Sequence, residues 1–148
     1  MVIFPVTYRS LLDDPSWPTL MGEYAVECSL PELGELDPQR DLYAAMEASG
    51  GLQCFGVYAG RLVGFISLIT WTVPHYGKTI VSTESIFLSR SDRGQNTGLR
   101  MLDFVVDFGR EKKARMVQIT APAGSRLGKL LSYLDPWRHS NDVFVRGL

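Results

Sequence analysis

The chain has 148 residues, 45% of them hydrophobic and 21% charged, with a formal net charge of −1. That composition excludes a disordered chain and is enough to bury a core without disulfides or metal. The near-neutral balance excludes a bulk electrostatic attraction to nucleic acid or to an anionic membrane surface.

The first residues, Val2 to Tyr8, are β-branched and aromatic and read as a strand, with Pro5 marking an edge position. A turn-rich stretch with Pro15 and Pro18 follows, then a helix expected over Thr19 to Ser29 with Thr19 as its N-cap. Pro31 and Gly34 punctuate a loop. Asp37 and Pro38 predict the start of a second helix through Ala48, with Asp as N-cap and Pro at the first helical position. Gly50-Gly51 ends it.

From Leu52 the hydrophobic period changes to that of strands. Leu52 to Tyr58, Leu62 to Val73 and Thr79 to Ser89 are separated by the short turns Ala59-Gly60-Arg61 and Pro74 to Gly77, which predicts an antiparallel meander. Leu99 to Lys113 returns to helical period, with Leu99, Leu102, Val105 and Val106 as one apolar stripe. A short strand is expected over Met116 to Thr120, a helix over Ser125 to Leu134 and a last strand over Asp142 to Arg146. The order β-α-α-β-β-β-α-β-α-β predicts an α/β (α+β) domain spanning 1–148, with a central mixed, mostly antiparallel sheet flanked by helices.

Cys28 and Cys54 are too few and too scattered for a disulfide framework or a zinc knuckle. His75 and His139 with the scattered acids make no metal site, so none is expected. The start lacks a basic n-region and a long apolar run, and no stretch approaches the ~20 apolar residues that cross a bilayer, so a soluble, cytoplasmic protein is expected.

The chemistry concentrates between Ile86 and Leu102. There a strand runs into a polar loop, Arg93-Gly94-Gln95-Asn96-Thr97-Gly98, and then into an amphipathic helix at Leu99. Helix N-termini carry unpaired N–H groups and the positive end of the dipole, and small residues let a phosphate approach the backbone. On physics alone this is an anion site or merely a tight turn. The segment resembles the pyrophosphate loop of the GNAT (general N-acetyltransferase) superfamily, commonly Arg/Gln-x-x-Gly-x-Gly/Ala after a strand. Leu88 stands five residues before Arg93, as in that family, and the order of elements matches over nearly the whole chain. Asn96 stands where the family has its first Gly; Asn is the non-glycine residue that best tolerates a left-handed backbone, so the loop can form. The alternative is a modified or lost cofactor site. The stretch from His75 to Arg100 also looks like small GNAT proteins encoded in bacteriophage genomes.

The resemblance implies an acyl-CoA-dependent N-acyltransferase, with acetyl-CoA or another acyl-CoA as co-substrate and an amine acceptor, either small molecule or protein. It implies that backbone groups of Phe87, Leu88 and Ser89 bind the pantetheine arm. The loop from Arg93 to Leu99 (Gly94, Gln95, Asn96, Thr97 and Gly98 between) would then hold the pyrophosphate. Glu84 is the candidate base: plain alternation places it on one strand face with Ile86 and Leu88, and Thr83, Ser85 and Phe87 on the other. The family often carries a Tyr late in the last helix that protonates the leaving thiolate, which points to Tyr133, with Ser132 as the fallback. His75 and Tyr76 could line the acceptor mouth. The rival readings are a non-catalytic GNAT-like protein-interaction module and a related nucleic-acid-modifying enzyme. A homodimer is left open, and neither a membrane nor tight nucleic-acid binding is expected.

Overall fold

Five strands form one sheet in the order β1-β2-β3-β4-β5 in the computed structural model, which describes residues 1–94 and 96–148. They are β1 (Val2–Val6), β2 (Leu52–Tyr58), β3 (Leu62–Val73), β4 (Lys78–Leu88) and β5 (Val117–Gln118). The first four pair antiparallel and β5 joins β4 parallel. Short turns enforce the meander: Gly60 (φ +77°) sits between β2 and β3, and Gly77 (φ +57°) between β3 and β4. Pro5 lies on β1, an edge strand, where a missing N–H costs least.

Helices cover both faces. Helix α4 (Thr97–Glu111) packs Met101, Val105 and Phe108 against Phe55, Val57, Ile66, Leu68 and Val81 on one face. The other face holds α1 (Tyr8–Leu12) and α2 (Trp17–Cys28), whose Tyr8, Leu11, Trp17 and Leu20 meet Leu52, Cys54, Phe65 and Phe87. Helix α3 (Arg40–Ala48) contributes Tyr43 and Met46 to the margin of that second core. Helix α5 (Arg126–Tyr133) buries none of its residues fully. None of the described helices is long and apolar enough to cross a membrane.

Several boundaries depart from the sequence reading. The first strand stops at Val6 because Thr7 and Ser10 form a reciprocal capping box (Ser10 N–H to Thr7 Oγ1, Thr7 N–H to Ser10 Oγ, both 3.1 Å) that starts the unforeseen α1. Helix α2 begins at Trp17 rather than Thr19, with Pro18 in its first turn, where its absent N–H is no loss. Helix α3 begins at Arg40, two residues after Pro38. The Asp37 carboxylate accepts from Gln39 Nε2 (2.8 Å), which diverts it from the expected cap. The strand expected over Asp142 to Arg146 does not form: 135–148 has no regular structure, and Val143 and Phe144 are exposed. A strand needs a paired edge, and β5, the last strand of the sheet, is only two residues long.

Candidate functional site

The parallel pair β4–β5 is limited to Val81↔Val117 and Ser82↔Gln118. Just beyond it, Thr120 N–H donates to the Thr83 hydroxyl (3.1 Å) instead of to the β4 backbone. From there β4 continues to Leu88 beside β3 alone, so the two strands diverge toward the Leu88 end. An extended polar chain could pair with such an unpartnered strand edge. Gly64 faces Leu88 across the β3–β4 ladder. A Cβ at Gly64 would stand 2.5 Å from the Phe87 carbonyl oxygen, so this register requires glycine.

Glu84 occupies a β-bulge. Ser67 pairs with Ser85 and Leu68 with Thr83, which leaves Glu84 as the extra residue. A bulge re-aims its side chain. The carboxylate therefore lies on the face of α1 to α3, where Glu84 Oε1 accepts a 2.8 Å hydrogen bond from the Tyr43 hydroxyl. Ile86 and Leu88 pack on the opposite, α4 face, and Phe87 packs on the α1–α2 face. The simple alternation that grouped Glu84 with Ile86 and Leu88 is thus corrected: the bulge resets the period. Tyr43 stacks face to face on Tyr8 (centroids 3.6 Å, 4° between planes). Burial raises the hydroxyl pKa of Tyr43, and the nearby Glu84 charge raises it further. Burial likewise pushes Tyr8 up to about 12. Both phenols stay protonated, so Tyr43 is a permanent donor to Glu84, whose residue surface is exposed. Neither tyrosine was singled out in the sequence, because Tyr43 meets Glu84 across 41 positions and Tyr8 joins them only by stacking on Tyr43.

The loop after β4 is tied to α2. Glu23 accepts from the Ser89 hydroxyl (3.2 Å) and the Arg90 N–H (2.8 Å), and Glu27 accepts from Arg90 Nε (2.7 Å) and Arg93 Nη2 (2.8 Å). Arg93 also donates from Nε to the Leu88 carbonyl (2.9 Å), and its guanidinium lies 5.2 Å from the Phe87 ring centre. Its charge is therefore turned inward and paired with Glu27. Ser89 is buried, and its N–H donates to the Val63 carbonyl on the β3 side (2.8 Å), away from the divergent edge. The signal for this clamp is present in sequence only as two glutamates four apart on one helix, which share a face.

Asn96 adopts the left-handed conformation (φ 62°, ψ 16°) at the N-cap of α4, the backbone state that glycine would supply most cheaply. Thr97 N–H is engaged by the Gly94 carbonyl (2.9 Å). Among the described residues, a Cβ added at Gly94 or Gly98 would meet no side chain or distant backbone within 4 Å, and neither has a positive φ, so the surrounding packing does not demand these glycines. Leu99 is half-buried in the first turn of α4. Gln95, the remaining residue expected in this loop, lies outside the described residues.

The other candidates are scattered. Tyr133 is 91% exposed at the end of α5, and Ser132 donates its hydroxyl to the Gly128 carbonyl (2.9 Å). His75 and Tyr76 sit in the turn that starts β4, whose eleven residues, at roughly 3.3 Å each, separate them from Leu88 by about 30 Å. His139 lies beside Asp142 (3.3 Å) on the surface. Among the described residues no group of three His, Cys, Asp or Glu side chains is placed to hold a metal ion.

No protein-family model matches this sequence, and no curated protein matches it in sequence. Solved structures do match in fold. A ribosomal-protein-alanine N-acetyltransferase from Brucella melitensis biovar Abortus 2308 aligns over 99% of both chains, with TM-score 0.68 and 19% identity. An aminoglycoside N-acetyltransferase in complex with CoA aligns over 99% of both chains, with TM-score 0.67 and 18% identity. An aminoglycoside acetyltransferase from an uncultured soil metagenomic sample aligns over 99% of this chain and 95% of its own, with TM-score 0.72 and 13% identity. The mostly antiparallel five-stranded sheet flanked by helices is thus a known architecture: this chain has the fold of the GNAT acetyltransferases.

Proposed function

We propose that residues 1–148 form an acyl-CoA-dependent N-acyltransferase that moves an acetyl group from acetyl-CoA to an amine. The observation that carries this reading is the open β4 edge: β4 runs six residues beyond its last pair with β5 and ends in a loop that opens α4. The pantetheine arm would pair with that edge near Phe87 and Leu88, and the pyrophosphate would lie at the α4 N-terminus beside Asn96, Gly98 and Leu99. The open space at Gly94 and Gly98 supports this placement, since each glycine leaves room that the fold does not use. With Arg93 paired to Glu27, the anion would be held by backbone N–H groups and the helix dipole more than by a free side-chain cation.

In this reaction the amine lone pair attacks the thioester carbonyl, the carbon–sulfur bond breaks, and the thiol of CoA departs. Glu84 takes the amine proton, directly or through one water, and Tyr43 holds the carboxylate in place for that transfer. Tyr133, whose phenol is solvent-accessible, supplies a proton to the leaving sulfur. Neither cysteine suits a covalent route: burial raises the thiol pKa of Cys28 and pushes Cys54 up to about 12, which starves both of thiolate.

Acetyl-CoA titrated into the protein by calorimetry tests the reading, together with the rise in melting temperature that a ligand of the folded state produces. Absence of heat and of a shift at millimolar CoA would favour the second reading, a non-catalytic module, which the inward-turned Arg93 also favours.

A further inference from the structure

Two separate segments meet around an open pocket of about 650 Å³ at the start of β4: Gly77, Lys78 and Thr79 on one side, Lys113, Ala114 and Arg115 on the other. The backbone fixes the two sides against each other. Arg115 N–H donates to the Thr79 carbonyl (2.8 Å) and Val81 N–H to the Met116 carbonyl (3.2 Å), so the pocket lies where β5 first joins β4. Lys78 and Leu88 are the two ends of β4, and eleven residues at roughly 3.3 Å each keep the pocket about 30 Å from the open edge near Leu88. Lys113 stands just past the end of α4, whose fifteen residues at about 1.5 Å each put it about 20 Å from the loop that opens that helix.

The pocket gathers three cations in a chain whose net charge is −1. Among the described residues none of Lys78, Lys113 and Arg115 pairs with a carboxylate. Their neighbours in the same basic run are engaged: Arg110 binds Asp107 (2.7 Å), and Lys112 lies over the Phe108 ring (5.1 Å). A helix C-terminus favours cations, but α4 is already closed by its own backbone. Ala114 N–H donates to the Gly109 carbonyl and Lys113 N–H to the Arg110 carbonyl (both 2.9 Å), the Schellman pattern. Lys78 belongs to another element altogether. Lys113 is left-handed (φ 53°), a state that glycine adopts at less cost, so the residue there forgoes backbone ease and adds a charge to the pocket.

The lining has no aromatic ring and only one apolar side chain, Ala114, so it offers nothing to stack a base or to cover an acyl chain. What it offers is charge and donors. An arginine fork fits the oxygens of a phosphate, and two lysines add point charges beside it. We infer that this pocket is an anion site whose ligand is a small polyphosphorylated molecule, separate from the cofactor site proposed above and independent of the acyltransferase reading. Bound between Lys78 and Arg115, the anion ties β4 to the segment that enters β5, at the root of the fork between the two strands. Three cations in one pocket match a compact ligand of several charges and form no track for a nucleic-acid backbone.

Calorimetric titration with tripolyphosphate at low ionic strength tests the inference. The expected result is saturable one-site binding with a Kd below millimolar. Lys78→Ala and Arg115→Ala, both at exposed positions, each weaken it about tenfold or more while melting with the wild type. Lys113→Gly removes the charge and relieves the positive φ, so its loss of binding, also about tenfold, comes without risk to the fold. Gly98→Val, at the opposite end of α4, leaves the tripolyphosphate Kd unchanged. Citrate, which carries comparable charge on carboxylates, binds about tenfold more weakly. Absence of saturable binding at millimolar tripolyphosphate overturns the inference, and so does an affinity that the three cation variants leave unaltered. Binding lost in Gly98→Val would put the anion at the start of α4 instead. Equal affinity for citrate, or tighter binding of duplex DNA than of tripolyphosphate, would overturn the ligand class.

Discussion

Glu27 and Arg93 are joined by a 2.8 Å ion pair that crosses from the last turn of helix α2 to the loop opening α4. The same carboxylate binds Arg90, and Arg93 also braces the Leu88 carbonyl, so one acidic residue fixes both ends of the loop after β4. Glu27→Gln is expected to destabilise the protein by roughly 1–2 kcal/mol, because the pair is partly screened by solvent. Denaturant unfolding of the two proteins at pH 7 measures it. Equal midpoints would show that the clamp contributes nothing.

The pH dependence of that difference has a fixed sign. The hydrogen bond from Arg93 holds the Glu27 carboxyl below its usual value of 4.5. A depressed folded-state pKa contributes stability that is fully present above the unfolded value and is lost as pH falls through the folded value. The gap between wild type and Glu27→Gln is therefore expected to be constant from neutral pH down to about 5 and to close below the carboxylate range. A gap that widens on acidification would assign the effect to another group.

Gly98→Val is expected to separate binding from folding. The added side chain finds open space and an ordinary helical backbone, so stability should change by about 0.5 kcal/mol or less. The same side chain fills the room beside the α4 N-terminus, and CoA affinity should fall at least about tenfold, or about 1.4 kcal/mol. Calorimetry with CoA gives the answer, and an unchanged Kd would remove the pyrophosphate from this loop.

Glu84→Gln is expected to lower kcat by about 10²–10⁴ with little change in the CoA Kd, the signature of a lost general base. Tyr43→Phe removes the hydroxyl that orients Glu84 and should lower kcat about tenfold, again without loss of cofactor binding. In the Glu84→Gln background, Tyr43→Phe should add little, since both act through one proton transfer. Additive losses in steady-state rates would give Tyr43 a role apart from Glu84.

Tyr133→Phe and the double replacement of Cys28 and Cys54 by Ala address the leaving group and the covalent alternative. Tyr133 is almost wholly exposed, so its variant should melt with the wild type while kcat falls and acetyl-CoA affinity holds. The double cysteine variant should keep its acyl transfer, at a stability cost of about 1–2 kcal/mol for the buried Cys54. A folded, CoA-binding double variant that has lost activity would point to an acyl-enzyme.

The sequence by itself determined the meander, the amphipathic α4 and the loop between them. Those features are local: runs rich in Val, Ile, Phe and Leu between Leu52 and Leu88, a period of 3.6 from Leu99 onward, and glycines at the turns. It also contained the condition for the left-handed start of α4, since Asn96 is a residue that accepts that conformation. Tertiary structure decided the rest. The bulge that turns Glu84 toward Tyr43 arises from the register between β3 and β4, which no window of β4 alone encodes. The pairing of Arg93 was not legible because its partner, Glu27, stands 66 positions earlier and meets it only when α2 packs on the sheet. The expected last strand had the right residues and no edge of sufficient length to pair with, and a strand exists only with a partner.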